Sequence, residues 1–107
     1  MYQAVLTLIE SEQGLPLIAV EGETVVGLLL VLVYHDHLTD EWIAGELAWW
    51  VDPDRRGIGL RMLRLAETWA RQQGAQRLQV MAPSPEVERL YERLGYRPLE
   101  RTYDRRL

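Results

Sequence analysis

The chain has 107 residues, 48% of them apolar, with 16 acidic and 12 basic side chains and a net charge of −4; this is one domain's worth, 1–107, with material for one modest core. Cysteine is absent, which excludes disulfides, thiolate metal sites and a cysteine nucleophile. No apolar run reaches the roughly 18 residues of a membrane span and no signal-peptide pattern opens the chain, so the expectation is a soluble, cytoplasmic protein with no membrane partner.

Tyr2, Val5, Leu6 and Ile9 recur at helical spacing, predicting a helix over residues 2–9 that Gly14 can end. Residues 15–21 read as a strand, Glu21-Gly22-Glu23 as a turn, and residues 24–34 as a long β-branched strand, together a hairpin. Residues 35–41 are polar and read as a loop. Residues 42–51 form another long strand, in which Gly45 permits a bulge or a close backbone approach. Asp52-Pro53-Asp54 closes it.

A helix is predicted from residue 57 to 73, with Met62, Leu63, Ala66, Trp69 and Ala70 on its apolar face. Glu67 and Arg71 are an i,i+4 pair, and Gly74 takes the position after the C-cap. Residues 76–81 alternate as a short strand. Ser84-Pro85 is an N-cap followed by proline at the first helical position, and that helix ends at Gly95. Residues 96–107 read as one or two strands. The order α-β-β-β-α-β-α-β makes a mixed α/β (α+β) domain with a hairpin-rich first half.

Charge is distributed unevenly. Residues 1–54 hold ten acidic side chains and no basic one, whereas residues 55–107 hold six acidic side chains and all twelve Arg. Such a split predicts two differently charged faces, one suited to an anionic ligand and the other to a cationic one. Nucleic acid is not expected as a partner, since the chain is acidic overall and no basic run is interleaved with aromatics.

The stretch that carries chemistry is Val51-Asp52-Pro53-Asp54-Arg55-Arg56-Gly57-Ile58-Gly59, between a strand and a helix. Glycines there let a ligand approach the backbone. The helix start offers free N–H groups and a partial positive charge. Arg61 in the first turn opposes that macrodipole, a conflict a bound anion would relieve. The competing reading is a tight turn with solvated Arg.

On these residues the chain resembles the GNAT acetyltransferase superfamily, whose strand ends in V-x-P before an R-G-x-G-x-G/A loop and a helix. Val51-Asp52-Pro53 and Arg56-Gly57-Ile58-Gly59 stand in those places. Residues 87–96, VERLYERLGY, are similar to the family's A-x-x-L-Y-x-K-x-G-F signature, and Val25-Val26-Gly27 to its central hairpin. The resemblance covers residues 15–107 and implies a mixed, mostly antiparallel sheet flanked by helices. Three departures stand out: a loop two residues short, Ser84 in place of the family's Asn, and only 14 residues before the first strand, which truncates the N-terminal part.

The resemblance implies an N-acetyltransferase using acetyl-CoA as cosubstrate, with no metal and an unidentified amine acceptor that the acidic half suits to be cationic. Backbone groups of Trp49 and Val51 would hold the acetyl carbonyl and pantetheine arm. Arg55, Arg56, Gly57, Ile58, Gly59, Leu60, Arg61 and Ser84 would hold the rest of the cosubstrate. Tyr91 matches the general acid; its alternative is a packed helix aromatic. Glu46 is the candidate base, placed by strand alternation on the face of Ala48 and Trp50; its alternative is a solvated strand carboxylate. His35 and His37 are a second candidate base or a two-His metal pair, against exposed loop histidines. Trp49 and Trp50 face opposite sides, which suggests that both sheet faces are covered. A homodimer, in which a partner supplies the missing wall, is compatible with the short N-terminal part. A catalytically degenerate CoA-binding or protein-interaction subunit is the alternative to an enzyme.

Overall fold

Alternating apolar side chains in three long segments make one sheet, and a helix with a matching stripe covers one side of it. The computed structural model describes residues 3–6 and 14–107. Its five strands are β1 (Gln3–Leu6), β2 (Gly14–Glu21), β3 (Thr24–Asp36), β4 (Glu41–Val51) and β5 (Arg77–Gln79). They lie side by side in sequence order. All neighbours are antiparallel except β4 and β5. The parallel step needs a crossover, which α1 (Arg56–Gln72) provides; α2 (Pro85–Arg93) follows β5.

Leu15, Leu17 and Ala19 of β2 and Leu29, Val31 and Val33 of β3 point to the α1 side and are buried there. Ile58, Met62, Ala66, Trp69 and Ala70 meet them from α1, on the one stripe that i, i+4 and i+3 steps keep together. The opposite face is buried at Ile43, which is 2% exposed, but open nearer the end of β4. Leu28 is 36% and Trp50 50% exposed there, so the covering expected for both Trp49 and Trp50 does not hold at Trp50.

The helix expected over residues 2–9 is replaced, where described, by a strand. Gln3–Leu6 pair with Leu17–Val20 of β2, and the rest of that helix lies outside the described residues. A short apolar stripe fits either period, and an isolated helix of under a dozen residues is marginal; the free edge of β2 supplies hydrogen-bond partners that a lone helix lacks. The opening strand is thus present, and Gly14 begins β2 rather than ending a helix. The β3–β4 loop is shorter than residues 35–41, because β3 runs on to Asp36.

Gly74 and Gly95 follow the two helices with φ of 83° and 95°, the left-handed conformation that glycine adopts without strain. Residues 97–107 form no strand, contrary to the alternation read there. Glu67, expected to pair with Arg71, instead accepts the Tyr96 hydroxyl at 2.7 Å, which ties the end of α2 to α1.

Candidate active site

One extra residue in β4 sets the geometry. Leu30 pairs with Ala48 but Val31 pairs with Glu46, leaving Leu47 unmatched. Such a bulge reverses the alternation beyond it. Side chains of paired residues lie on one face, so Glu46 shares the α1 face with Val31, Leu29 and Trp49. Strict alternation had placed it with Ala48 and Trp50. Gly45 is next to the bulge and serves the close approach: a Cβ there would stand 3.1 Å from the ring of Tyr34.

Pairing between β4 and β5 runs only from Ile43 with Arg77 to Gly45 with Gln79. Beyond it the two chains part, and the stretch from Leu47 to Val51 has no strand on that side among the described residues. Glu46 reaches across the start of this gap, its Oε1 accepting the Met81 N–H at 3.0 Å. From α2, the Tyr91 hydroxyl donates to the Met81 carbonyl at 3.1 Å. The two sides of one backbone residue therefore hold both candidate catalytic groups.

Burial pushes the Glu46 carboxyl above its ordinary range, with the Met81 N–H pulling the other way. Burial also drives Tyr91 up, and the nearby Glu46 charge adds to it. Trp49 stacks on Tyr91 with ring centroids 6.3 Å apart. Its indole Nε1 is buried without a hydrogen-bond partner, a deficit of about 1–3 kcal/mol unless a polar group meets it.

The end of β4 leads straight into α1. Asp52 N–H donates to Val26 O at 2.8 Å, Arg55 N–H to Asp52 O at 2.8 Å, and Asp54 N–H to Asp52 Oδ1 at 3.0 Å. No side chain caps α1, and no acidic residue lies in its first turn. Ile58 N–H is already bonded to Arg55 O at 3.1 Å. Gly57 is exposed, and a Cβ built there would meet nothing within 4 Å. Gly59 is the packing glycine, where a Cβ would stand 3.7 Å from Val51 Cγ2.

A model of the acetyltransferase (GNAT) family matches residues 2–96, a span that takes in this strand edge and the start of α1. The chain belongs to the GNAT acetyltransferase family. The family implies acyl transfer with acetyl-CoA. Solved structures agree on the fold. An acetyltransferase from Trypanosoma brucei superposes with a TM-score of 0.74 at 19% identity, covering 89% of this chain and 70% of that one. Glucosamine-6-phosphate N-acetyltransferase from Arabidopsis thaliana gives 0.75 at 12% identity, over 90% and 68%. Ribosomal-protein-alanine N-acetyltransferase from Brucella melitensis biovar Abortus 2308 gives 0.71 at 19%, over 92% and 72%. The chain spans 63–72% of the length of such structures. No curated protein matches the chain significantly.

Some of this GNAT chain's candidate residues are engaged elsewhere. Arg55, expected at the pyrophosphate, makes a two-pronged bond to Glu21. That ion pair lowers the Glu21 pKa and staples the β2–β3 turn to the start of α1. Ser84 caps α2, its Oγ accepting Val87 N–H at 3.3 Å. Ser84→Ala is therefore expected to cost about 1 kcal/mol in a thermal melt and to leave the KM for acetyl-CoA unchanged. Leu60 and Arg61 lie exposed on the first turns of α1, which Arg56 opens.

The histidines are not brought to the gap. His35 Nδ1 lies 3.2 Å from His37 Nδ1, and His35 Nε2 lies 2.9 Å from Asp40 Oδ1, at the β3–β4 turn. No cluster of three or more metal-ligating side chains exists among the described residues. A cavity of about 230 Å³ sits away from Gly57, between the end of α1, β5 and residues 94–96. Two features escaped sequence reasoning: the Met81 backbone that joins Glu46 to Tyr91, and the orphaned indole of Trp49. Gly45 is the one local signal that β4 departs from regular pairing.

Proposed function

We propose that this chain is an acetyl-CoA-dependent N-acetyltransferase, moving an acetyl group to a primary amine by direct attack in a ternary complex. The observation that carries this is the continuity of three features. The unpaired edge of β4 runs into the uncapped start of α1, and Glu46 and Tyr91 both bond the backbone of Met81 at the start of that gap. The open space before Gly57 fits an anionic cosubstrate.

Acetyl-CoA, when bound, supplies the activated thioester. Backbone groups of Trp49 and Val51 orient its acyl end, and the amides at the start of α1 take the diphosphate, with Arg56 and Arg61 adding charge. As the amine nitrogen bonds to the acetyl carbon and the carbon–sulfur bond breaks, Glu46 takes the amine proton, directly or through water. Tyr91 turns its hydroxyl from Met81 O to the departing sulfur. The acidic residues 1–54 favour a cationic acceptor.

Because Tyr91 holds its proton tightly, a free thiol being a stronger acid at about 8.5, it assists the sulfur chiefly by hydrogen bonding. Tyr91→Phe is expected to lower kcat about tenfold with the KM for acetyl-CoA unchanged. The assay is thiol release from acetyl-CoA with a panel of primary amines. Equal losses in kcat and in affinity would make Tyr91 a packing residue. CoA binding without turnover on any amine would leave a binding subunit instead of an enzyme.

A further inference from the structure

The β3–β4 turn gathers a second set of ligand-bearing side chains, away from the gap beside β4. His35 lies near the end of β3 and His37 just past it, a spacing that keeps side chains on one side of an extended chain. Their ring centroids are 4.6 Å apart, and their two Nδ1 atoms are 3.2 Å apart. Trp42 pairs with His35 across the sheet and meets its ring edge-on at 5.1 Å, which steadies that ring from the other side.

Asp40 decides what each nitrogen of His35 can do. Its Oδ1 lies 2.9 Å from His35 Nε2. A carboxylate only accepts, so Nε2 carries the proton, and in the neutral ring the lone pair belongs to Nδ1. His37 can meet that lone pair in two ways. One tautomer donates its Nδ1–H, a plain hydrogen bond. The other presents a second lone pair, and a cation fits between the two. Nitrogens 3.2 Å apart, each about 2.0–2.1 Å from one ion, subtend about 100° at it, close to the tetrahedral angle that zinc takes. A carboxylate on the far nitrogen of a ligating imidazole is the contact that orients such ligands and raises their basicity.

The surroundings favour a cation. The turn holds Asp36, Asp40 and Glu41, and Arg77 is engaged by Glu41 at 3.5 Å. Asp36 accepts the Leu38 N–H and the Thr39 hydroxyl, each at 3.0 Å, which fixes the turn that carries His37. We propose that His35 Nδ1 and His37 Nδ1 chelate one divalent ion of the zinc, nickel or copper class, with Asp40 positioning His35 and water completing the coordination. Imidazole suits those ions, whereas Mg²⁺ and Ca²⁺ take oxygen ligands. The ion would fasten the end of β3 to its turn. The inference is independent of the acetyl-transfer reading, since neither histidine takes part in it.

The test is calorimetric titration of the untagged full chain with zinc chloride, and with magnesium chloride for comparison, followed by thermal melts. One Zn²⁺ per chain is expected to bind at micromolar concentration, with no binding of Mg²⁺. Zinc at ten times its Kd should raise Tm by about 5 °C or more. His37→Ala, at an exposed position, should abolish both the binding and the shift while keeping the metal-free Tm. Should that variant fail to fold, His37→Gln decides by the same titration, with loss of zinc binding expected. A parent chain that binds no zinc has only a hydrogen bond between its rings, which overturns the proposal. So does zinc binding that survives the substitution, or magnesium binding of equal strength.

Discussion

Gly57→Glu is expected to abolish acetyl-CoA binding while leaving the fold as stable as before or slightly more so. The two effects have opposite signs for separate reasons. Glycine inside a helix costs about 1 kcal/mol relative to alanine, and a carboxylate in a first turn gains about 0.3–1 kcal/mol from the macrodipole. The first turn of α1 holds no acidic residue, and a Cβ at position 57 clashes with nothing. The same carboxylate would occupy the space before the amides and repel a diphosphate. A loss of affinity of about 100-fold or more, roughly 2.7 kcal/mol, is expected by calorimetry, and the stabilisation by added CoA should vanish from the melt. If the variant binds CoA as the parent does, the start of α1 is not the diphosphate cradle.

Glu46→Gln is expected to lower kcat about 100-fold, the scale of a lost general base, and to raise stability at neutral pH. The carboxyl is raised above its ordinary 4.5 by burial. Between that value and the higher folded one, the folded protein binds more protons than the unfolded chain. Parent stability therefore falls as pH rises through this window. Glutamine carries no such penalty, and its amide oxygen still accepts the Met81 N–H. The parent's rate should climb as pH passes the folded Glu46 value, where the variant's should be flat. A variant that keeps the parent's pH profile, or that loses stability at pH 7, would remove Glu46 from the role of base.

Most long elements were legible because their signals are local. The β-branched run of β3, the apolar stripe of α1 and the Ser84-Pro85 start of α2 each announce themselves within a dozen residues, and their ends agree to within two residues. The family followed from the loop at Arg56–Gly59 and from Leu90-Tyr91 with Gly95-Tyr96. What stayed hidden depends on pairing across the chain. β1 exists through β2, so four residues could not reveal it. The strand expected after Gly95 finds no partner in its own chain. Arg55 looks like a phosphate ligand in sequence, because its partner Glu21 stands 34 residues away. Trp50 looks like core material because a large aromatic says nothing of which face is covered.

The unmatched Leu47, 55% exposed, is the one residue by which β4 exceeds what pairing with β3 requires there. An in-frame loss of the Leu47 codon would leave Glu46 opposite Val31 and Ala48 opposite Leu30 in regular pairing, with Glu46 still on the α1 face. The bulge thus lengthens the path between Glu46 and Ala48 without choosing the face of Glu46, and exchange of the exposed Leu47 side chain is expected to leave that carboxyl where it is.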